Sequence, residues 1–215
     1  MIDEFFTITN NKIIIEEKKS KFISESFQVS NKEDVKKIID EVKSTYKDAT
    51  HHVYAYVLLD GISKSCDDKE PAGTAGVQIL NVINNFEIKN VLIIIIRYFG
   101  GIKLGKSGLS RTYFYCAKTL IENSKIIKKK LCYEVTVPLT YKEYNKILNK
   151  FNFTISNVNF DYDVKVKFVV ERERLDEFKH SIKEFTKNAD KTSIGELKYV
   201  QIQTDGWDSW TRTSE

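Results

Sequence analysis

An eight-residue stretch at positions 100–107, Gly-Gly-Ile-Lys-Leu-Gly-Lys-Ser, fits the phosphate-loop pattern G-x-x-x-x-G-K-[ST]. In such loops the glycine backbone N–H groups hold phosphates, the lysine reaches the terminal phosphates and the hydroxyl binds Mg²⁺. The apolar run at residues 91–96 predicts a buried strand before the loop, and residues 109–123 predict a helix after it. The immediate context is therefore compatible with a nucleotidase.

The wider sequence argues against that interpretation. A nucleotide-binding domain of this type needs further parallel strands after the loop and an apolar strand that ends in an aspartate for the metal. The candidate for that strand ends at Asp60 and lies before the loop, and the segments after the helix are punctuated like an antiparallel sheet. A nucleotidase is the less favoured alternative, and no cofactor is predicted.

A second group of residues, His51, Asp68 and Glu70, could carry out acid–base chemistry. A histidine beside carboxylates can transfer protons near neutral pH, so a small hydrolase or transferase is a further alternative. His51 and His52 would point to opposite faces of a strand, and their spacing from the acidic residues matches no zinc or calcium pattern. No metal site is predicted, and structural hydrogen bonding is the favoured role for these groups.

Two predicted helix starts, near Thr74 and Ser107, would expose backbone N–H groups that attract anions. Cationic side chains lie beside the second start, so convergence of the two loops would create a cationic cleft able to bind the phosphates of a nucleic acid. Tyr98 and Phe99 could stack on bases, although aromatic residues beside a central strand more often belong to a core. The candidate anion- or nucleic-acid-binding residues are Arg97, Lys103, Lys106, Arg111, Gly73, Thr74, Gly76, Gly100, Gly101 and Gly105.

An internal role for the same charges stays equally open. Arg97 or Arg111 could pair with Asp68 or Glu70 and thereby fix the two loops instead of binding a ligand. The two possibilities differ in what a substitution does, because a broken buried pair destabilises the fold and a lost surface charge does not.

Composition places these residues in an ordinary globular protein. The chain has 215 residues, 41% of them apolar, and a formal net charge of +4. From Leu131 onward 13 lysines and arginines face 14 aspartates and glutamates, so residues 1–130 carry a net charge of +5 and are the expected location of an anionic partner. An odd number of cysteines, an acidic start and short apolar runs predict a reducing, cytoplasmic compartment and no membrane association.

The first half predicts strands at residues 13–15, 22–29, 53–59 and 91–96, with the last one central because it is apolar on both faces. A capping box at Ser30–Glu33 predicts a helix start, and further helices are expected from about Thr74 and from about Leu109. The triple lysine at residues 128–130 marks the expected boundary between a domain of residues 1–130 and one of residues 131–215.

The second half predicts β-α-β-β-α-β, the ferredoxin-like arrangement, with strands at residues 131–139, 153–160, 164–170 and 196–204. The two helices are marked by apolar residues at helical spacing within residues 141–151 and 175–185. Trp207 and Trp210 in the C-terminal tail are expected to dock on a core. The predicted fold class is α+β in two domains, the first rich in βαβ units.

Four blocks of the first half resemble the IMPACT family, including its bacterial YigZ-like branch, in order and spacing. They are residues 19–23 (KSKFI), 48–56 (DATHHVYAY), 67–76 (DDKEPAGTAG) and 97–105 (RYFGGIKLG). Family members usually have a small residue and Gly at the positions of Lys106 and Ser107, so the phosphate-loop spelling arises from local departures. A further departure is Lys69, where the family usually has Gly, and a lysine at either position is expected to resist a positive φ.

The resemblance implies a fold and a process. The first domain should be similar to a fold shared by a small-subunit ribosomal protein and the translocase elongation factors, and the second to another elongation-factor domain. Eukaryotic relatives regulate translation by competing for an activator of a stress-responsive kinase, a pathway that bacteria lack. The resemblance therefore implies a cytosolic binding protein in translation regulation or stress response, with RNA, the ribosome or a translation-associated protein as its partner.

Overall fold

The computed structural model describes residues 2–150, 153–186 and 189–202, with the backbone alone at residues 148–150. It divides into a unit of Phe5–Lys128 and a unit of Met1–Glu4 with Lys129–Glu215. The division falls two residues before the predicted boundary and groups the first four residues with the second unit. Helices and strands occur in both units and together confirm the predicted two-domain α+β class.

The first unit is built from helices α1 to α3 and strands β1 to β6. In chain order the elements are β1 (Glu4–Ile8), β2 (Asn11–Glu17), β3 (Ser20–Gln28), α1 (Lys32–Thr45), β4 (His51–Val57), β5 (Ser63–Cys66), α2 (Gly76–Asn85), β6 (Val91–Tyr98) and α3 (Gly105–Glu122). Five of the strands form a sheet in the order β2-β3-β6-β4-β5, and every adjacent pair is antiparallel. Strand β1 pairs with β7 (Ile126–Leu139) in another sheet.

Strand β6 lies at the centre of the sheet, as its continuous apolar sequence predicts. Alternate residues of a strand face opposite sides, and here each side meets a different helix layer. Ile93 and Ile95 pack with α2 and α3, whereas Ile94 and Ile96 pack with α1. The two layers bury every residue from Val91 to Arg97, which fixes the strand end that carries Arg97.

Several predicted boundaries were wrong. Helix α1 is capped by Asn31, whose side chain accepts from the N–H of Asp34 at 2.8 Å, one residue later than the predicted box. Helix α3 begins at Gly105, earlier than predicted, and strands β1 and β5 were not predicted. Strand β5 has the sequence Ser-Lys-Ser-Cys and lies at the sheet edge, so it carries no apolar alternation.

The second unit has the predicted β-α-β-β-α-β order. After β7 come α4 (Tyr141–Lys150), β8 (Thr154–Phe160), β9 (Val164–Glu171), α5 (Leu175–Phe185) and β10 (Ser193–Gln201). The strands lie in the antiparallel order β10-β7-β9-β8, and Val135, Val166 and Phe178 belong to its core. Trp207 and Trp210 lie outside the described residues. Among the helices that the structure describes, none combines the length and apolar character needed to cross a bilayer.

Candidate functional site

A buried charge cluster lies where the central strand β6 ends. Nη1 of Arg97 lies 2.6 Å from Oε1 of Glu70, and the two side chains are 5% and 3% exposed. The hydroxyl of Tyr113 donates to the same Glu70 oxygen at 2.8 Å. Both partners therefore satisfy one carboxylate oxygen in a site from which water is largely excluded.

Three separate elements bring this cluster together. Arg97 extends from β6 on the side covered by α2 and α3, Tyr113 comes from the buried face of α3, and Glu70 comes from the loop between β5 and α2. The Arg97 guanidinium also lies 5.4 Å from the ring centre of Phe22 in β3. The cluster thus connects the loop before α2 to the sheet and to α3, and it realises the internal-pairing alternative for Arg97 and Glu70.

Tyr113 acts in this cluster as a hydrogen-bond donor. Burial and the nearby Glu70 carboxylate raise the pKa of Tyr113 well above the ordinary tyrosine value, because both oppose a second negative charge. The hydroxyl therefore keeps its proton through the physiological pH range and continues to donate to Glu70.

The two histidines separate to opposite faces of β4, as the strand geometry predicts. Nδ1 of His51 lies 2.8 Å from the backbone oxygen of Asp68, and its Nε2 lies 3.8 Å from Glu70. Nε2 of His52 lies 3.0 Å from the backbone oxygen of Tyr46, and its backbone N–H donates to Asp68 at 2.6 Å. Each ring is thus engaged by backbone groups, which is the structural role favoured from the sequence.

Asp67 occupies the start of helix α2. Its carboxylate accepts hydrogen bonds from the backbone N–H groups of Gly73 at 2.8 Å, Ala75 at 3.1 Å and Gly76 at 2.7 Å. The Thr74 hydroxyl donates to the backbone oxygen of Pro71 at 2.6 Å. The helix start predicted to attract an external anion therefore already holds an internal carboxylate, and Gly73, Thr74 and Gly76 have structural roles there.

The loop before α3 is pressed against the hairpin between β2 and β3. A Cβ atom on Gly100 would lie 1.9 Å from the backbone oxygen of Lys19, so only glycine fits. The Ser20 hydroxyl accepts from the N–H of Gly100 at 3.2 Å and from Arg97 at 3.3 Å. Gly101 and Gly105 have φ angles of 85° and 73°, which glycine adopts without strain.

The remaining candidate cations are exposed around this loop. Lys103 lies in it, Lys106 lies in the first turn of α3, and Arg111 lies one to two turns further along the helix. Within the ranges that the structure describes, none of the three forms an ion pair with a carboxylate. Among the residues that the structure describes, no side chain caps the start of helix α3, in contrast to α2 with its Asp67. The structure thus separates Arg97, which is paired internally, from three exposed cations that have no carboxylate partner in the described ranges.

The surroundings of the loop are not those of a nucleotidase. Strand β6, which precedes the loop, has antiparallel neighbours on both sides, whereas the phosphate-loop pattern requires a parallel sheet. Lys106 is helical, and Lys69 does adopt a positive φ of 69°, contrary to the expectation from its side chain. In the described ranges no group of three or more His, Cys, Asp or Glu side chains is placed to share a metal ion.

Tyr113, Ser20 and the capping role of Asp67 were missed by the sequence reasoning. Tyr113 lies 43 positions from Glu70, and no periodic pattern relates residues at that separation. Ser20 and Asp67 lie inside two of the four blocks that carry the family resemblance. Those blocks were thus the signal that could have identified them.

Comparison with known proteins agrees with the four blocks. The Impact N-terminal domain model matches residues 18–121, which include the whole of the cluster and loop described above. YvyE, an IMPACT family member of Bacillus subtilis (strain 168), is 31% identical over 209 residues, which cover 94% of this chain and 95% of that protein. YigZ, an IMPACT family member of Escherichia coli (strain K12), is 26% identical over 184 residues, covering 82% and 90%.

A solved crystal structure of a hypothetical protein superposes with a TM-score of 0.62 at 24% identity, covering 94% of this chain and 99% of that one. That likeness shows a shared fold. The sequence match to YvyE extends over nearly the full length of both proteins. On these grounds the chain belongs to the IMPACT family.

Proposed function

We propose that this protein is a cytoplasmic binding protein acting in translation, and that its first unit binds RNA phosphates through Lys103, Lys106 and Arg111. The observation that carries the proposal is the contrast among the charges at one end of the sheet. Arg97 and Asp67 are used internally, whereas the three cations around the loop before α3 are exposed and pair with no carboxylate of the part of the chain that the structure describes. Exposed cations of this kind contribute the salt-dependent part of nucleic-acid affinity.

The uncapped start of α3 supports the same ligand chemistry. The first backbone N–H groups of a helix have no partner within the helix and carry partial positive charge. Lys106 lies in that first turn and Lys103 lies just before it. Family membership suggests translation as the process, because the resemblance implies that relatives regulate it.

The alternative acid–base role for His51, Asp68 and Glu70 has less support. The Glu70 side chain is 3% exposed and accepts from both Arg97 and Tyr113, so it is held as a structural anchor. His51 lies 3.8 Å from it and is held by the backbone oxygen of Asp68. A substrate would have to displace these contacts before either group could act on it.

Fluorescence anisotropy with labelled RNA at several KCl concentrations tests the proposal. Lys103→Ala should weaken binding and reduce the slope of log K against log salt by about 0.7 to 0.9. Its free energy of unfolding should change by no more than about 0.5 kcal/mol, since the side chain is exposed. Lys36→Ala, an exposed lysine of α1 on the other side of the sheet, is the matched control and should change neither quantity.

Two results would contradict the proposal. One is a folded wild-type protein without measurable RNA affinity at low salt. The other is an unchanged affinity and salt slope in Lys103→Ala. A pull-down from lysate, washed at low and at high salt and analysed for RNA and protein, would separate direct RNA binding from binding to a translation-associated protein.

A further inference from the structure

Phe99 presents an aromatic ring to solvent at the end of the central strand. The residue is 46% exposed, whereas its neighbour Tyr98 packs with the core on the α1 side. The backbone N–H of Phe99 donates to the Thr50 hydroxyl at 3.0 Å, and the Arg97 guanidinium lies 5.5 Å from the ring centre. Since Glu70 fixes Arg97 in turn, the exposed ring is attached to a rigid support.

The hairpin turn between β2 and β3 places two lysines in an unfavourable backbone conformation. Lys18 and Lys19 have φ angles of 46° and 63°, in the left-handed region that such two-residue turns normally fill with Asn or Gly. Both side chains are exposed, and neither pairs with a carboxylate among the described residues. Strain of this kind at an exposed position points to a functional demand for the side chains.

The strained turn and the aromatic ring are neighbours. The backbone of Lys19 lies so close to Gly100, the residue after Phe99, that any side chain there would overlap it. Lys21 is exposed, but it lies opposite Tyr98 in the strand register, so its side chain is on the α1 face of the sheet and is not part of this surface. On β2, Glu16 lies opposite Lys21 and Glu17 lies opposite Ser20. The turn thus brings the exposed Lys18 and Lys19 next to the residue that follows the Phe99 ring.

We infer that Phe99 and these lysines form a stacking platform for a single-stranded nucleic acid. The exposed ring of Phe99 stacks on an unpaired base, while Lys18 and Lys19 contact phosphates on one side and Lys103 contacts them on the other. This inference rests on the proposed function and names its ligand class, because a duplex keeps its base faces stacked and cannot offer one to the ring. Stacking of this kind tolerates any base sequence.

Fluorescence anisotropy titrations test the inference with a labelled RNA of about 20 nucleotides, which is about five times the smallest site of a single-strand binding fold. The RNA is used both as a single strand and annealed to its complement. Phe99→Ala should weaken single-strand binding by about 5- to 150-fold and leave duplex binding unchanged, whereas Phe99→Tyr keeps the ring and should retain the affinity. Tyr162→Ala removes a 98% exposed aromatic residue of the second unit and is the control expected to have no effect. Phe99→Leu keeps most of the side-chain volume and replaces Phe99→Ala if the latter fails to fold.

A second variant separates charge from folding. Lys19→Gly should make the turn easier to form, because glycine adopts a positive φ freely, yet it should weaken single-strand binding and lower the salt slope by about 0.7. Undiminished single-strand affinity in Phe99→Ala or Phe99→Leu would overturn the stacking inference while leaving the phosphate surface intact. A wild-type protein that binds neither RNA form would overturn the proposed function and this inference together.

Discussion

Glu70 and Arg97 form a buried ion pair with 2.6 Å between the carboxylate oxygen and the guanidinium nitrogen. Replacing Glu70 by Gln removes one charge and leaves the other buried and unpaired, so the free energy of unfolding should fall by about 3 to 5 kcal/mol. The control is Glu122→Gln, whose carboxylate lies 3.7 Å from Lys118 on the surface of α3 and should contribute less than about 0.5 kcal/mol. Urea denaturation followed by circular dichroism measures both, and similar losses in the two variants would contradict the structural role of the pair.

The Asp67 carboxylate should be needed for the start of α2. In Asp67→Ala the N–H groups of Gly73, Ala75 and Gly76 lose their acceptor, with an expected loss of about 2 kcal/mol or more of unfolding free energy. Asp67→Asn keeps one oxygen acceptor, so its unfolding free energy should fall by less than that of Asp67→Ala. Asp40→Ala removes an exposed carboxylate from α1 and serves as the control within about 0.5 kcal/mol. Equal stability of Asp67→Ala and Asp40→Ala would show that the cap is dispensable.

Two adjacent glycines should respond differently to the same substitution. Gly100→Ala brings Cβ to 1.9 Å from the Lys19 backbone oxygen, so the hairpin and the loop must separate and about 3 kcal/mol or more should be lost. Gly101→Ala has open space within 4 Å and a φ of 85°, so it should lose only the roughly 1 to 2 kcal/mol of a left-handed alanine. Thermal unfolding of both variants gives the order, and a larger loss in Gly101→Ala would be inconsistent with the close approach.

Replacing Lys69 by Gly, the residue that the family resemblance implies at this position, should not lower the stability of the protein and should raise it slightly. Its φ of 69° follows Asp68 at 41°, and glycine removes the side-chain clash of the left-handed region. Because glycine also has more freedom in the unfolded chain, the expected net gain for Lys69→Gly is about 0 to 1 kcal/mol. Lys36→Gly in α1 is the opposite control and should lose about 1 kcal/mol. A loss in Lys69→Gly as large as in the control would contradict the assigned conformation.

Stability should fall at alkaline pH through Tyr113. Burial and the Glu70 carboxylate raise the pKa of Tyr113 in the folded protein well above the ordinary value of about 10. Above about pH 10 the unfolded chain therefore releases this proton while the folded chain retains it, so the free energy of unfolding decreases as pH rises. Tyr113→Phe removes the hydrogen bond to Glu70, so its free energy of unfolding should be lower by about 1 kcal/mol near neutral pH. Its free energy of unfolding should also decrease less steeply as the pH rises above the ordinary tyrosine pKa. Parallel curves of unfolding free energy against pH for the two proteins would exclude this contribution; the range from about pH 8 to about pH 11 extends about two units below and one unit above the ordinary tyrosine pKa.

Local patterns predicted much of the fold. Six consecutive apolar residues identified β6 as central, and helical spacing located α4 and α5. The start of α1 was misplaced because Ser30 with Glu33 and Asn31 with Asp34 spell the same kind of cap, and only the three-dimensional contact distinguishes them. Strand β1 was missed because its neighbour β7 comes more than a hundred residues later in the chain.

The candidate site was predictable in its residues and less so in its pairings. Arg97 and Glu70 were both singled out, but their contact joins positions 27 apart and depends on how β6 and the loop before α2 meet. The sequence equally allowed Arg111 to be the buried partner, and its position on the exposed face of α3 decides otherwise. Charge type is readable from sequence, whereas burial of one arginine and exposure of another is a property of the packed sheet.

The place of β6 in the chain also matters for biosynthesis. Its neighbours β3 and β4 both precede it in sequence, so they have already left the ribosome when residues 91–98 emerge. At a synthesis rate of about 5 to 20 residues per second, β6 is completed roughly 3 to 15 seconds after β3. The most apolar and aggregation-prone strand of the chain is therefore synthesised only after both strands that cover its edges are available to receive it.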